Sequence, residues 1–151
     1  MPMLSPDLIN EARIGRGLEI SSKKRLLETL AELLAKDHPR LSTENVFERL
    51  LERERLGSTG LGHGVALPHA RIKEVSQVLG AFVQTTRGVD YDAADDEPVD
   101  LAFALLVPET ATEEHLQLLA YLASRFSEPA TRARLREATS PTAILDLLKA
   151  T

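Results

Sequence analysis

From Val99 to Val107 every residue except Asp100 is apolar, a run too short to span a bilayer and too uniform for a strand with one wet face. A strand of that kind needs cover on both sides, so the rest of the chain has to supply helices to two faces of a sheet. The flanking sequence is suited to this. Between Lys23 and Lys36, Leu26, Leu27, Leu30, Leu33 and Leu34 fall at helical spacing, with Ser21 or Ser22 as N-cap and Pro39 beyond the end. A second helix is expected from Ser42, carrying Val46, Phe47, Leu50 and Leu51 and stopped by Gly57. Its charged residues, Glu44, Glu48, Arg49, Glu52, Arg53, Glu54 and Arg55, read as a solvated outer face.

Three more helices are expected after Pro108. Thr110 and Glu113 have capping-box spacing ahead of Leu116, Leu119, Leu122, Ala123 and Phe126. Ser127-Glu128-Pro129 opens the next, and Ser140-Pro141 opens the last, which carries Ile144, Leu147 and Leu148. Val75 to Gln84 reads as another strand, and the glycine-rich stretch after Leu56 as a loop leading into a short strand at Val65–His69. Helix pairs at each end with strands between them predict one α/β sandwich domain over residues 1–151, its core at about 5–150.

Composition narrows the function. The 151 residues include 18 Lys plus Arg against 23 Asp plus Glu, and a net charge of -5 is the wrong sign for a general nucleic-acid binder. Aromatics are 4% with no Trp, which leaves little for base stacking. The absence of Cys excludes disulfides, thiolate zinc sites and cysteine nucleophiles. The first residues lack a signal-peptide core and no apolar run is long enough for membrane insertion, so a cytoplasmic protein is expected. The acidic residues Asp90, Asp92, Asp95, Asp96 and Glu97 lack the glycine and closing glutamate of a calcium loop and read as a solvated connection.

Chemistry concentrates between Arg53 and His69. Gly57, Gly60, Gly62 and Gly64 let backbone N–H groups approach an anion, and Ser58 and Thr59 add hydroxyls, yet neither the P-loop nor the dinucleotide pattern is present. His69 follows Pro68 at the end of the short strand. A neutral imidazole is a good nucleophile near pH 7, provided one ring nitrogen is hydrogen-bonded and the other is left facing a donor. His115, one turn into the third helix, reads from its local pattern as a polar residue on an amphipathic helix, although its placement would also let a neutral ring donate to a phosphoryl oxygen, and the Arg53 guanidinium suits the same oxygens. His63, His69 and His115 also raise the alternative of a three-histidine zinc site, although no His-Glu-x-x-His is present. His38, beside Pro39, is expected to be exposed.

These residues resemble a family. Arg-Glu-x-x-x-Ser-Thr-Gly-x-Gly-x-Gly-x-Ala-x-Pro-His from Arg53 to His69, Pro-Val-Asp-Leu-x-Phe-Ala-Leu-Leu-Val-Pro from Pro98 to Pro108, and His115-Leu116 are similar to the type-2 enzyme IIA domains of the bacterial phosphotransferase system, most of all the nitrogen-regulatory enzyme IIA. The resemblance implies an α/β domain with a mixed sheet of about five strands flanked by helices. It implies that His69 accepts a phosphoryl group from a histidine phosphocarrier protein, that His115 and Arg53 stabilise it, and that Ser58, Thr59, Gly62 and Gly64 form the phosphate loop. No metal or other cofactor is expected, and the phosphorylation state would control partner proteins. Members often carry Asn where this chain has His63, which therefore stays outside the expected core site. The chain ends at Thr151 without a linker, second phosphorylation domain or membrane segment, which favours the regulatory branch over a sugar-specific IIA that feeds a IIB component. A binder that never turns phosphate over is the reading from another class.

Overall fold

In the computed structural model, which describes residues 8–110 and 113–149, a 3-10 turn at Glu11–Arg13 leads into β1 (Ile14–Leu18), α1 (Lys23–Ala35) and α2 (Thr43–Leu56). Then come β2 (Gly60–Gly62), β3 (Val65–Ala66), β4 (His69–Ile72), β5 (Leu79–Val89) and β6 (Val99–Pro108), followed by α3 (Glu113–Phe126), α4 (Pro129–Glu137) and α5 (Pro141–Lys149). The strands form one six-stranded mixed sheet in the order β1-β5-β6-β3-β2, with β4 also paired to β6. This is the expected mixed α/β architecture.

The apolar run became the strand between two helical layers. On β6, Ala102, Ala104 and Leu106 pack with Leu26, Leu30 and Leu50 of α1 and α2. The alternate residues Leu101, Phe103 and Leu105 pack with Leu122, Phe126, Leu135 and Ile144 of α3, α4 and α5. On that second face Phe103 lies 6.3 Å from Phe82 and 6.1 Å from Phe126 between ring centroids. The helix caps follow the sequence signals: Ser22 Oγ accepts from the Arg25 N–H at 3.1 Å, Ser42 Oγ from the Asn45 N–H at 3.1 Å, and Ser140 Oγ from the Ala143 N–H at 3.1 Å.

Several expectations need correction. The strand read at Val75–Gln84 begins at Leu79 and runs on to Val89, and Val75 is instead buried in the connection that precedes it. β1 was not anticipated; it pairs in parallel with β5 and is held from its N-terminal side by buried Arg13, whose Nε donates to the Gly80 carbonyl at 2.9 Å and whose Nη1 meets Asp37. Glu54 is not on a solvated face: its side chain is 2% exposed. His38 is half-buried and its Nδ1 has no hydrogen-bond partner. The Thr110–Glu113 capping box involves positions outside the described residues, and the expected core limits of 5 and 150 also fall outside them.

Candidate functional site

β3 and β4 are two parts of one extended segment. Val65 lies opposite Leu101 and His69 opposite Leu105 in the same parallel register on β6. Pro68 has no N–H to contribute, which interrupts the strand assignment, but its carbonyl still accepts from the Leu105 N–H at 2.9 Å. Alternation then sets side-chain direction. Ala70 and Ile72 belong to the core beneath α1 and α2, so His69 and Arg71 face the opposite side of the sheet.

Among the described residues β6 is the one strand paired to β4, and its other edge is flanked by the C-terminal end of α2 and the first turns of α3. Between them lies an open cavity of about 480 Å³. Arg49, Glu52, Arg53 and Leu56 of α2 line one side, His69 and Arg71 the strand, and His115, Leu116 and Leu119 the side of α3. His69, Arg53 and His115 therefore share one cavity. Arg49 and Arg71 were not singled out from sequence, although the His69-x-Arg71 spacing on a strand puts both side chains on one face. Leu56 and Leu116 are 85% and 61% exposed, so the cavity has an apolar rim.

The His69 ring is oriented by its own strand. Nδ1 lies 2.9 Å from the Leu67 carbonyl oxygen, and because a carbonyl can only accept, Nδ1 carries the proton and Nε2 holds the lone pair. Burial pulls the His69 pKa below its ordinary value, the Leu67 carbonyl opposes this, Arg53 adds to the lowering and Glu54 works against it. The net direction favours the neutral ring. Arg53 Nη1 donates to the Gly57 carbonyl at 2.9 Å, which ties the guanidinium to the turn after α2.

The glycine-rich segment lies apart from this cavity. Ser58 Oγ accepts from the Gly60 N–H at 3.1 Å, while buried Thr59 donates its hydroxyl to Glu54 Oε2 and its amide N–H to Glu54 Oε1 at 3.1 Å. Gly62 and Gly64 flank His63 in the turn between β2 and β3, where His63 takes a left-handed φ of 57°. Asn, Asp and His are the non-glycine residues most often found in that region, which is the physical sense of His63 at a place where Asn is common. The His63 N–H donates to Asp95 Oδ2 at 2.9 Å and its carbonyl accepts from Arg136 Nη2 at 2.6 Å. The N–H groups of His63 and Glu97 hold the Asp95 carboxyl below its usual range, so part of the acidic loop is engaged with the hairpin. Gly64 is confined: at φ 84°, a Cβ there would stand 2.4 Å from Arg136 Nη2. His63 and Gly64 line a different cavity, with Asp100 and Arg136. Among the described residues no group of three or more His, Asp or Glu side chains is arranged to hold a metal ion.

The mixed α/β architecture described above agrees with what comparison with known proteins finds. Over residues 7–151 the chain matches, and belongs to, the family described as phosphoenolpyruvate-dependent sugar phosphotransferase system, EIIA 2. Within it the likeness is to nitrogen-regulatory members. The nitrogen regulatory protein of Pseudomonas aeruginosa is 45% identical over 127 residues, covering 84% of this chain and 82% of that one. The crystal structure of nitrogen regulatory protein IIA-Ntr from Neisseria meningitidis superposes with a TM-score of 0.86 at 46% identity, covering 92% of this chain and 94% of that one. Enzyme IIAMtl of Escherichia coli, solved in complex with phosphorylated enzyme IIBMtl, gives a TM-score of 0.77 at 25% identity over 93% of this chain and 96% of that one. No helix among the described residues is long and apolar enough to cross a membrane.

Proposed function

We propose that the chain is a phosphocarrier of the nitrogen-regulatory branch, working in the cytoplasm, that takes a phosphoryl group onto Nε2 of His69 from a histidine phosphocarrier protein and controls partner proteins through its phosphorylation state. The observation that carries this reading is the bond between His69 Nδ1 and the Leu67 carbonyl, which leaves Nε2 unprotonated in a cavity lined by Arg49, Arg53 and Arg71. In the in-line step the Nε2 lone pair forms a bond to phosphorus as the donor's N–P bond breaks, and the donor nitrogen keeps that electron pair. Positive charge then develops on the His69 ring, where the Leu67 carbonyl stabilises it through Nδ1–H. The arginines serve the phosphoryl oxygens.

Incubation with phosphoenolpyruvate and the upstream phosphotransferase proteins tests the reading. An acid-labile phosphoryl adduct is expected; its absence with an active relay favours a binder that never turns phosphate over. The likeness to a IIA solved with its IIB supports a second reading, in which the group passes to a IIB component. Transfer of label from this chain to a sugar-specific IIB would favour it.

Two variants probe the surroundings. Arg53→Ala is expected to slow phosphoryl acceptance more than Arg53→Lys, because both lose planar recognition but only Ala removes the charge. Equal stopped-flow rates in the three proteins would confine Arg53 to its bond with Gly57. His115→Ala should still be labelled on His69, but more slowly, by at most roughly ten- to a hundredfold, the range for losing one donor to a charged oxygen in a dry site, since water in the open cavity takes up part of that loss. Wild-type rates of transfer to and from the carrier would remove His115 from the site's chemistry.

A further inference from the structure

Around Glu54, at the end of α2, lies a cluster of polar side chains that the phosphoryl-transfer scheme does not use. Glu54, with its side chain 2% exposed, accepts from Lys23 Nζ at 3.0 Å and from both the amide and the hydroxyl of Thr59. Thr59 has a single hydroxyl proton and gives it to the carboxylate, so the contact of 3.1 Å with the Tyr91 hydroxyl has Tyr91 as donor. Lys23 Nζ also lies 4.4 Å from the centre of the fully buried Tyr91 ring. Burial, and then the Glu54 charge, push the Tyr91 pKa up, which keeps its proton in place for that bond. Four elements of the fold are joined here: the start of α1, the end of α2, the entry to β2 and the acidic connection.

The cluster leads to the histidine by hydrogen bonds. Thr59 is fixed by Glu54 on its amide and side chain, and its carbonyl accepts from the Leu67 N–H at 3.0 Å. Leu67 is followed by Pro68, whose φ is fixed by its ring, and the Leu67 carbonyl receives His69 Nδ1–H at 2.9 Å. We propose that the Lys23–Glu54–Thr59–Tyr91 cluster is a positioning device for His69, holding Leu67 so that its carbonyl decides which ring nitrogen keeps the proton and which is presented to the cavity. The inference rests on the reading of His69 as phosphoryl acceptor, and it takes Thr59 out of the phosphate loop. Glu54 and Thr59 act through Leu67, not on the phosphoryl group.

The test measures the His69 ring before any phosphorylation. In the wild-type chain, 15N NMR of the imidazole should show the proton on Nδ1. In Glu54→Gln and in Thr59→Val both tautomers should appear, phosphoryl acceptance should slow by roughly tenfold, and 31P NMR of the adduct should show some Nδ1 isomer. Thr59→Ser, which keeps the hydroxyl, should restore the single tautomer and the wild-type rate. A folded Glu54→Gln with an unchanged tautomer and rate overturns the proposal. Should Glu54→Gln fail to fold, the Thr59→Val and Thr59→Ser pair decides by the same readouts. A wild-type chain that takes no label while the variants still shift the tautomer would sink the phosphocarrier reading and uphold the positioning device.

Discussion

His69→Ala is expected to abolish the acid-labile adduct completely while leaving the fold intact. The ring is half-buried at the edge of the sheet, and its one described hydrogen bond is to the Leu67 carbonyl. Alanine keeps the backbone pairing opposite Leu105, and the lost bond is worth about 1 kcal/mol, a small part of a domain's stability. On the proposed function the chemical loss is expected to be total, because His69 is the acceptor and the other two histidines of the region have other places in the scheme. His115 projects from a different element, and His63 lies in the β2–β3 turn lining another cavity. Labelling from phosphoenolpyruvate through the upstream proteins, with circular dichroism on the same samples, checks both halves. A folded variant that still takes label, mapped to His63 or His115, would move the acceptor.

Phe103→Ala should cost about 3–5 kcal/mol of stability, the range for truncating a fully buried aromatic residue. Phe103 is wholly buried on the central strand and touches the Phe82 and Phe126 rings, so its removal empties the middle of the face that α3 covers. Collapse into the space is restricted. A Cβ on Gly80 of the neighbouring strand would stand only 2.8 Å from Phe103 Cε1, so the ring already lies against backbone, and a glycine has no side chain to follow it inward. Urea unfolding is expected to show a lower midpoint at an unchanged slope. A loss below about 1 kcal/mol would mean that this face repacks freely.

What the sequence disclosed and what it hid divide along physical lines. The Val99–Val107 run and the leucine spacing of α1 carry their burial in their own periodicity, and Ser22, Ser42 and Gly57 mark helix ends by local hydrogen-bonding chemistry. β1 was hidden because Gly15, Arg16 and Gly17 give it no alternation, and its strand state depends on pairing with β5. The end of β5 was hidden by exposed polar residues, Thr86 and Arg87, on a segment that continues the ladder. In the charged run from Glu52 to Arg55, nothing local distinguishes the buried Glu54 from its neighbours; Lys23 and Tyr91, which bury and pair it, are remote in sequence. At the site, the motifs nominated His69, Arg53 and His115, which the fold brings to one cavity; Ser58, Thr59, Gly62 and Gly64, expected from the same stretch as a phosphate loop, are not among the residues that line it.

Arg49, Arg53 and Arg71, with Glu52 the one carboxylate among the described residues that line the cavity, give a net-acidic protein a positive window beside His69. A phosphoryl group brings up to about two negative charges, enough to cancel the local excess. The strand that carries His69 is locked in register on β6 from Val65 to Ile72, and slipping it by one residue would turn the ring to the other face of the sheet. On the proposed function, the message of such a strand would lie in surface potential, not in shape: a partner with an acidic patch would be held by the unmodified window and released once it is neutralised, with no movement of the fold required.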